Sequence, residues 1–325
     1  MAIKNRYPFE RVIQSTIDRS KEYLLLTAAI VVLGTVFTVL SPAFFTPNNI
    51  INIVRQTATV LVIALGMTYV IISAEIDVSV GGVMAISAVL GALAINTYGA
   101  VAGVLVALGV GLGFGMLNGY ITVTYGIPSF IVTIGMLGVA RGAAFITSGS
   151  SPILVDNNTF SAIFGGSIGP IPTMVIWALV LTAVAAVFLS KTRFGRHVYA
   201  TGDSRQAAEY SGIDTNKVKI LTLSLVGLCA AIAGLLYLGR LGVARPGMGS
   251  GIELAVIAAV IIGGTSLFGG RGTILGTFLG AILISVIDNG IILLGYGQSW
   301  QELIRGIVII IAVAIRSRDE TGEWL

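Results

Sequence analysis

Residues 62–82 read VIALGMTYVIISAEIDVSVGG, an apolar run and the start of a second one, separated by a short polar break. A run of about 20 mostly apolar residues is long enough to cross a bilayer as a helix. Barrel strands would instead alternate apolar and polar residues over about ten positions. The segment therefore indicates two membrane-spanning helices joined by a break that stays close to the membrane.

Similar apolar runs recur along the whole chain. Ten candidate spans can be counted, at residues 23–40, 57–73, 80–95, 100–118, 130–147, 173–189, 220–238, 254–267, 274–294 and 303–315. Some are short and lie next to glycine-rich breaks, which is typical of broken or re-entrant helices; such backbone is tolerated only where protein or water covers it. We therefore predict an all-α, polytopic membrane protein with about ten transmembrane helices, some of them short or broken.

The composition excludes an ordinary soluble domain. Hydrophobic residues make up 55% of the 325 residues, charged residues make up 10%, and the mean hydropathy is +0.96. Soluble domains carry about 25% charged residues. The 42 glycines lie mostly inside apolar runs, which is typical of closely packed membrane helices.

The basic residues predict the orientation of the chain. Of 19 Lys and Arg residues, 13 lie in an N-terminal arm at 1–22, a polar loop at 190–219 and a C-terminal tail at 316–325. Basic segments remain cytoplasmic, and ten spans would place all three on one side of the cell membrane, the inner or plasma membrane. We expect both termini and the loop in the cytoplasm, one transmembrane domain at 23–315, and residues 148–172 outside. Since the basic residues flank spans, the net charge of +4 does not indicate nucleic-acid binding.

The N-terminal arm differs from a secretory signal peptide, because it is long and polar and no small-residue cleavage site follows the first apolar run. The first span is therefore expected to remain as an anchor.

Several kinds of chemistry are missing from the sequence. No G-x-x-x-x-G-K-[ST] motif is present to cradle nucleotide phosphates. With one cysteine and one histidine there is no Cys/His cluster of metal-ligand spacing, and no nucleophile–base set can be assembled in the membrane. We therefore expect a chain that is not an enzyme and holds no cofactor, driven either by an ion gradient or by another subunit.

The break after the second span carries Glu75, Asp77 and Ser79. Carboxylates near the membrane interior are costly and usually face a cavity or a partner. Two interpretations remain open: these residues line the path of a solute, or Asp77 or Ser79 is the N-cap of the third span. Glu253, which precedes the glycine-rich stretch 263–272, is a further candidate for the path, although the glycines themselves favour helix packing.

The 190–219 loop contains a short pattern of small residues, Gln206-Ala207-Ala208 followed by Gly212. Alanines one turn before a glycine are typical of a short helix that ends at a glycine. Such a helix could enter a groove on another protein, with Arg193, Arg196 and Arg205 docking on acidic residues. An ordinary positively charged cytoplasmic loop is the alternative.

Taken together, these segments resemble the ribose-type family of sugar ABC permeases. The resemblance runs from LSPAFFT at 40–46 to residue 309, and its strongest blocks are LGMTYVI at 65–71, IDVSVG at 76–81, QAAEYSG at 206–212 and IGGTSLFGG at 262–270. Each block is short, but the four occur in the family's order on a chain with many spans.

The resemblance implies a permease subunit of a binding-protein-dependent importer that translocates a small sugar of the pentose or hexose class, with a ribose-like sugar as the best guess. It implies a second permease copy, an extracytoplasmic sugar-binding protein, and a separate ATPase that binds ATP and Mg. The 206–212 segment resembles the part that docks on the ATPase, and we add Gly195, Arg196 and Arg205 as flanking coupling residues.

Two departures from the family pattern leave the solute open. Glu75 adds a charge where small residues are usual, and Ala255 follows Glu253-Leu254 where an aspartate is usual. A nucleoside or another small polar solute therefore remains an alternative to a sugar. A stand-alone secondary transporter that uses Glu75 or Asp77 for ions is the main rival of the whole assignment.

Overall fold

A computed structural model describes residues 8–321, and this part of the chain is almost entirely helical. The helices are α1 (Pro8–Leu40), α2 (Pro47–Ile72), α3 (Val80–Tyr98), α4 (Ala100–Tyr125), α5 (Ser129–Thr147), α6 (Asn158–Phe164), α7 (Thr173–Lys191), α8 (Arg193–Asp203), α9 (Arg205–Tyr210), α10 (Thr215–Leu241), α11 (Ile252–Ile262), α12 (Ile274–Leu293) and α13 (Gln298–Thr321). Four two-residue strands, β1 (Ile153–Leu154), β2 (Ser167–Ile168), β3 (Ile171–Pro172) and β4 (Val243–Ala244), form two antiparallel pairs, β1 with β4 and β2 with β3.

The predicted all-α polytopic class is confirmed. Within residues 8–321, eight helices are long and apolar enough to cross a membrane, namely α1 from Ser20 onward, α2, α3, α4, α5, α7, α10 and α12. The two other predicted spans correspond to α11, which has only 11 residues, and to α13, whose apolar stretch is flanked by charged residues. The predicted span 254–267 is wrong in its second half, because α11 ends at Ile262 and a glycine-rich turn follows.

The predicted N-terminal arm and C-terminal tail are only partly covered. Residues 8–22 continue the helix of the first span, and α13 extends to Thr321. Residues 1–7 and 322–325 lie outside the described part of the chain, so the arm and the tail as separate units stay predictions.

The molecule has two ends that can be told apart by their contacts. At one end, here called the coupling end, the 73–79 break, helices α8 and α9 and the 263–273 turn lie together, and the Gly270 N–H donates to the Ile72 carbonyl at 2.9 Å. At the opposite, distal end, β1 pairs with β4 and the Asn96 amide donates to the Leu154 carbonyl at 2.8 Å. The 190–219 and 148–172 loops therefore lie at opposite ends, as the basic residues predicted.

Two non-helical segments enter the bundle from these opposite ends. The 73–79 break comes from the coupling end, and the 242–251 segment comes from the distal end. They meet at Gly81, where an added Cβ would contact both the Gly249 carbonyl and the Glu253 carboxylate. With 11 residues, α11 is about 16 Å long, roughly half of a hydrocarbon core. The first turns of α3 and α11 therefore lie side by side inside the protein.

The central helices are buried and the outer ones face away from the protein. Most of the apolar stretch of α2, α3, α10 and α12 is buried, whereas α4, α5 and α7 expose side chains such as Val101, Ile131 and Val180. Backbones approach closely through glycine: an added Cβ on Gly227 of α10 would overlap the Gly111 carbonyl of α4. This close approach explains why glycines are frequent inside the apolar runs.

Five helix ends share one hydrogen-bond pattern. The C″ N–H donates to the C3 carbonyl and the C′ N–H to the C2 carbonyl, which is the Schellman motif. It closes α2, α5, α9, α11 and α12, with C′ residues Ala74, Gly149, Gly212, Gly264 and Gly295, all at positive φ. Four of the five positions are glycine, which the left-handed conformation favours. Among these five, only α2 ends on an alanine, next to the break.

Candidate functional site

The break between α2 and α3 is held by hydroxyl groups of α5. The Ile76 N–H donates to Ser129 Oγ at 3.0 Å, and the Val78 N–H donates to Thr133 Oγ1 at 3.1 Å. Non-helical backbone inside a membrane is tolerated only when its polar groups find partners. Sequence reasoning missed Ser129 and Thr133, and the only signal was a hydroxyl residue at each of two positions four residues apart near the start of a span.

Asp77 is the centre of a buried hydrogen-bond network. Its side chain is 1% exposed, and Oδ1 accepts from the Ser79 N–H at 2.7 Å and from Ser79 Oγ at 2.6 Å. Oδ2 accepts from Asn118 Nδ2 of α4 at 3.2 Å, and the same amide reaches Ser79 Oγ at 2.9 Å. Asn118 was also missed; a lone amide in an apolar run was its only signal.

The capping interpretation of this segment needs a correction. Ser79 occupies the N-cap position of α3, but its side chain makes no cap hydrogen bond. Asp77 instead binds the N–H and the hydroxyl of Ser79 itself, so its carboxylate fixes the turn that leads into the helix. In this conformation Asp77 and Ser79 position the break, and no solute could reach the Asp77 carboxylate without moving its partners.

Glu75 and Glu253 each form an ion pair with a different helix. Glu75 pairs with Lys219 at the start of α10, with both side chains largely buried. Glu253 Oε1 accepts from Arg141 Nη2 of α5 at 2.9 Å, while its buried Oε2 has no hydrogen-bond partner within the described chain. The four residues predicted for the path therefore do not form one cluster. Glu75 binds Lys219, Asp77 binds Ser79, and Glu253 lies beside Gly81.

Ala74 is the left-handed residue that ends α2, with φ of 61°. A residue with a Cβ in this conformation costs roughly 1–2 kcal/mol. We expect Ala74→Gly to raise the free energy of unfolding by about 1 kcal/mol, measured as a higher Tm of the purified chain in detergent. Ala200→Gly, inside α8, is the matched control and should lower the Tm. A lower Tm for Ala74→Gly would contradict the assigned geometry.

The segment that the sequence predicted for coupling forms two short helices at the coupling end. Each starts on a side-chain cap: Thr192 Oγ1 accepts from the Gly195 N–H at 3.2 Å, and Ser204 Oγ accepts from the Ala207 N–H at 3.3 Å. α9 ends at Tyr210, and Gly212 follows with φ of 81°. The predicted short helix ending at a glycine is confirmed.

The predicted coupling residues do not all face outward. Gln206, Ala207 and Tyr210 are exposed, with Tyr210 92% accessible, but Ala208 is buried against its own chain. Gly195 is also buried, and an added Cβ there would overlap the Leu189 carbonyl. The roles of Ala208 and Gly195 in this structure are therefore internal packing, which an amino-acid pattern alone does not reveal.

The arginines of this segment differ in their contacts. Arg196 is exposed. Arg205 pairs with Glu209 at 2.8 Å and reaches Asn216 at 3.2 Å. The hydrogen bond from Arg205, aided by one from Thr215, lowers the pKa of the exposed Glu209 carboxyl. Glu209 therefore remains ionised, and its contacts hold α9 against the start of α10.

Helix α8 connects the coupling segment to the break. An added Cβ on Gly202 would overlap the Ile72 carbonyl at the end of α2, and Gly269 lies between Gly202 and the Ala74 side chain. On the same helix, Tyr199 donates its hydroxyl to the Gly272 carbonyl at 2.8 Å. Any movement of α8 must therefore move the end of α2 and the 263–273 turn, since no free volume separates their backbones.

Within the described residues, no three His, Cys, Asp or Glu side chains are grouped closely enough to hold a metal ion. The polar groups of the break bind one another and fix the turn that joins α2 to α3.

Membrane helices that are interrupted inside the bundle, with the interruption held by polar side chains, are typical of transport proteins. Comparison with known families agrees with this interpretation. Residues 49–313 match a family model described as the permease component of branched-chain amino acid transport systems. The chain belongs to this permease family. As a member of it, the permease is a transport subunit and a multi-pass membrane protein.

Three individual relatives show which import permeases this chain is similar to. The permease is 38% identical over 301 residues to the ribose import permease protein RbsC of Escherichia coli K12, covering 90% of this chain and 92% of that protein. It is 38% identical over 287 residues to the ribose import permease of Bacillus subtilis 168, covering 87% and 89%. It is 36% identical over 287 residues to the autoinducer 2 import permease LsrC of Yersinia enterocolitica, covering 87% and 79%. No solved structure matches the chain.

Proposed function

We propose that this permease is the membrane subunit of an ATP-driven importer for a small sugar of the pentose or hexose class, with a ribose-like sugar as its solute. The printed names of its relatives support this class, since two are ribose importers and one imports a different small solute. A nucleoside or another small polar solute is the alternative within the same mechanism.

The observation that carries the proposal is the packing of α8 against the break. Closure of a cytoplasmic ATPase dimer on ATP and Mg would displace α9 and α8, and the contacts of Gly202 and Gly269 would pass this displacement to α2 and the 263–273 turn. Coupling between the ATPase and the solute path requires an element with two conformations, and each of the two sites must be able to shift the balance between them. The break at 73–79 is that element in this proposal.

The proposed complex has partners at both ends and in the membrane. The ATPase docks on the exposed face of α9, the sugar-binding protein docks at the distal end, and a second permease copy packs against the exposed apolar helices. We place the coupling end and both termini in the cytoplasm because 13 of 19 basic residues lie in the three segments expected there.

Single-cysteine labelling tests this orientation. After Cys229→Ala removes the one native cysteine, we expect Lys217→Cys to be protected from an impermeant thiol reagent in intact cells and Ser151→Cys to be labelled. Both positions are exposed and lie at opposite ends of the molecule. Labelling of Lys217→Cys in intact cells, with protection of Ser151→Cys, would reverse the topology.

The rival interpretation, a secondary transporter driven by an ion gradient, is disfavoured by the contacts of the carboxylates Glu75 and Asp77. Glu75 is already paired with Lys219, and both oxygens of Asp77 accept hydrogen bonds from the chain itself. A carboxylate that carries a transported ion must exchange that ion with water, whereas both of these side chains are buried and held by the chain itself in this conformation.

Reconstitution tests the function directly. We expect proteoliposomes containing the permease, its ATPase and its binding protein to take up ribose only with ATP inside, whereas the permease alone neither transports nor binds nucleotide, since it has no phosphate-cradling motif. Uptake by the permease alone, driven by an ion gradient, would instead establish the secondary transporter.

A further inference from the structure

A groove lined by apolar side chains lies on the membrane-facing surface towards the coupling end, and we name it the apolar groove. It is formed by α2, α7, α8 and α10, and its volume of about 400 Å³ lies within the range of about 300–1,000 Å³ that is usual for ligand pockets. Its wall includes Leu65 and Tyr69 of α2, Phe188 of α7, Phe194 of α8, and Leu221 and Leu225 of α10. Phe188 and Leu221 are exposed, so the groove opens sideways, away from the bundle.

The lining disfavours a polar solute and suits an acyl chain. Tyr69 carries the one side-chain oxygen of the lining, and this hydroxyl already donates to the Ala185 carbonyl at 2.6 Å. From Leu221 to Cys229 the groove follows α10 for about 12 Å. One leaflet is about half of a hydrocarbon core of roughly 30 Å. The groove therefore extends over most of the depth of the leaflet at the coupling end.

Two lysines flank the end of the groove that faces the coupling end. Lys191 is in the last turn of α7, three residues after Phe188, and Lys217 is in the first turn of α10, four residues before Leu221. Residues three or four apart lie on the same face of a helix, so each lysine continues one wall of the groove. Both lysines are exposed, and among the described residues neither ammonium group forms a salt bridge.

Two carboxylates of the same loop already have other partners. Asp214 is the cap of α10 and accepts from the Lys217 backbone N–H at 2.9 Å, and Glu209 pairs with Arg205. The lysines therefore add positive charge at the mouth of the groove. Basic residues at the edge of a membrane attract anionic lipid headgroups, and the apolar wall below them is available to the chain of the same lipid.

We propose that the apolar groove binds one anionic phospholipid, with an acyl chain against Phe188 and Leu221 and its phosphate at Lys191 and Lys217. The site goes beyond the proposed import of a solute and does not depend on which solute is carried. Its wall includes the coupling segment, because the ring of Phe194 in α8 stacks on that of Tyr69 with centroids 6.0 Å apart. The bound lipid therefore contacts both α8 and α2, whose ends pack together at the break.

Thermal unfolding in nanodiscs tests the headgroup contacts. The purified full chain is compared in phosphatidylcholine and in mixtures with increasing phosphatidylglycerol. We expect phosphatidylglycerol to raise the Tm, because a ligand that binds only the folded state stabilises it. Lys191→Gln and Lys217→Gln should each weaken the apparent affinity for phosphatidylglycerol about five-fold. Lys21→Gln removes the same charge from α1 at the coupling end, outside the groove, and should leave the affinity unchanged.

A second pair of variants tests the acyl-chain contact. Ala185 lines the groove, whereas Ala183 is exposed and lies about 200° away around α7. Ala185→Phe should fill the groove and abolish the difference in Tm between the two lipid compositions, and Ala183→Phe should retain it. Each variant is compared with itself in the two lipids, so a change in its intrinsic stability does not affect the result. Should Ala185→Phe fail to fold, Ala185→Leu adds less volume and should reduce the difference.

Three results would overturn the proposal. The first is a Tm that is equal in both lipid compositions. The second is an effect of phosphatidylglycerol that persists unchanged in Lys191→Gln, Lys217→Gln and Ala185→Phe, which would show a general response to membrane charge. The third is a Tm that rises when two chains share a nanodisc and not with phosphatidylglycerol, which would assign the apolar groove to a second copy of the permease.

Discussion

Asp77→Ala should reduce the amount of folded permease in the membrane several-fold. The substitution removes the acceptor of the Ser79 N–H, the acceptor of the Ser79 hydroxyl and one of the two acceptors of the Asn118 amide. A buried donor left unsatisfied costs roughly 1–3 kcal/mol, so the sum is about 3 kcal/mol or more. Total stabilities are about 5–15 kcal/mol, which makes this loss large.

The measurement is the yield and the Tm of detergent-purified protein. Asp156→Ala is the matched control, because Asp156 is exposed in the distal loop and its loss should change neither quantity. Normal yield and Tm for Asp77→Ala would show that the Asp77 network does not hold the break. The 73–79 break could then no longer be proposed as the two-state element of the transport mechanism.

Asp77→Asn separates folding from transport. The new amide keeps an oxygen for Ser79, and Asn118 can turn its amide, since its Oδ1 has no partner within the described chain. We therefore expect near-normal yield, and lower uptake per folded molecule because a charge-assisted hydrogen bond is replaced by a weaker neutral one. Normal uptake would limit Asp77 to a neutral turn-forming role.

Ala207→Glu should abolish ATP-dependent uptake while leaving the permease folded. Ala207 lies on the exposed face of α9, so a larger side chain does not disturb its own chain. A helix that fits a groove on another protein tolerates little added volume, and overpacking costs about 1–3 kcal/mol; a new buried charge adds to that cost. The ATPase should therefore fail to co-purify, and sugar-stimulated ATP hydrolysis should fall with uptake.

The matched control places the same substitution at the other end of the molecule. Ala162 is exposed in α6 at the distal end, and Ala162→Glu should leave ATPase co-purification intact. Full co-purification and full uptake with Ala207→Glu would show that α9 is not the docking site. The secondary-transporter alternative would then regain support.

Two other substitutions in this segment are less informative. The pattern alone suggests Ala208→Glu as a docking variant, but Ala208 is buried in its own chain and the change should lower folded yield. Gly212→Val acts through backbone strain, because φ is 81° there, although nothing lies within 4 Å of an added Cβ. Its effect on docking would follow from a displaced α9 and not from a lost surface contact.

Much of the fold could be predicted because its signals are local. The length of an apolar run decides whether a helix can span the membrane, and the eight long helices agree with the predicted runs to within several residues at most ends. The glycine after α9 could be read directly, because a left-handed C′ residue strongly favours glycine. The half-length of α11 was less clear, since only the four small residues 263–266 separate Ile262 from the apolar Leu267 and Phe268.

The amino-acid sequence by itself determined the membrane class, most helix positions, the place of the break and the family, because each of these depends on neighbouring residues. Only the tertiary structure decided that Glu75 pairs with Lys219, that Asp77 binds Asn118, and that Asp288 pairs with Arg305. Such partners come from different helices, and their meeting depends on the depth and rotation of each helix in the bundle. Those two quantities are set by side-chain packing across the whole bundle, which no single segment encodes.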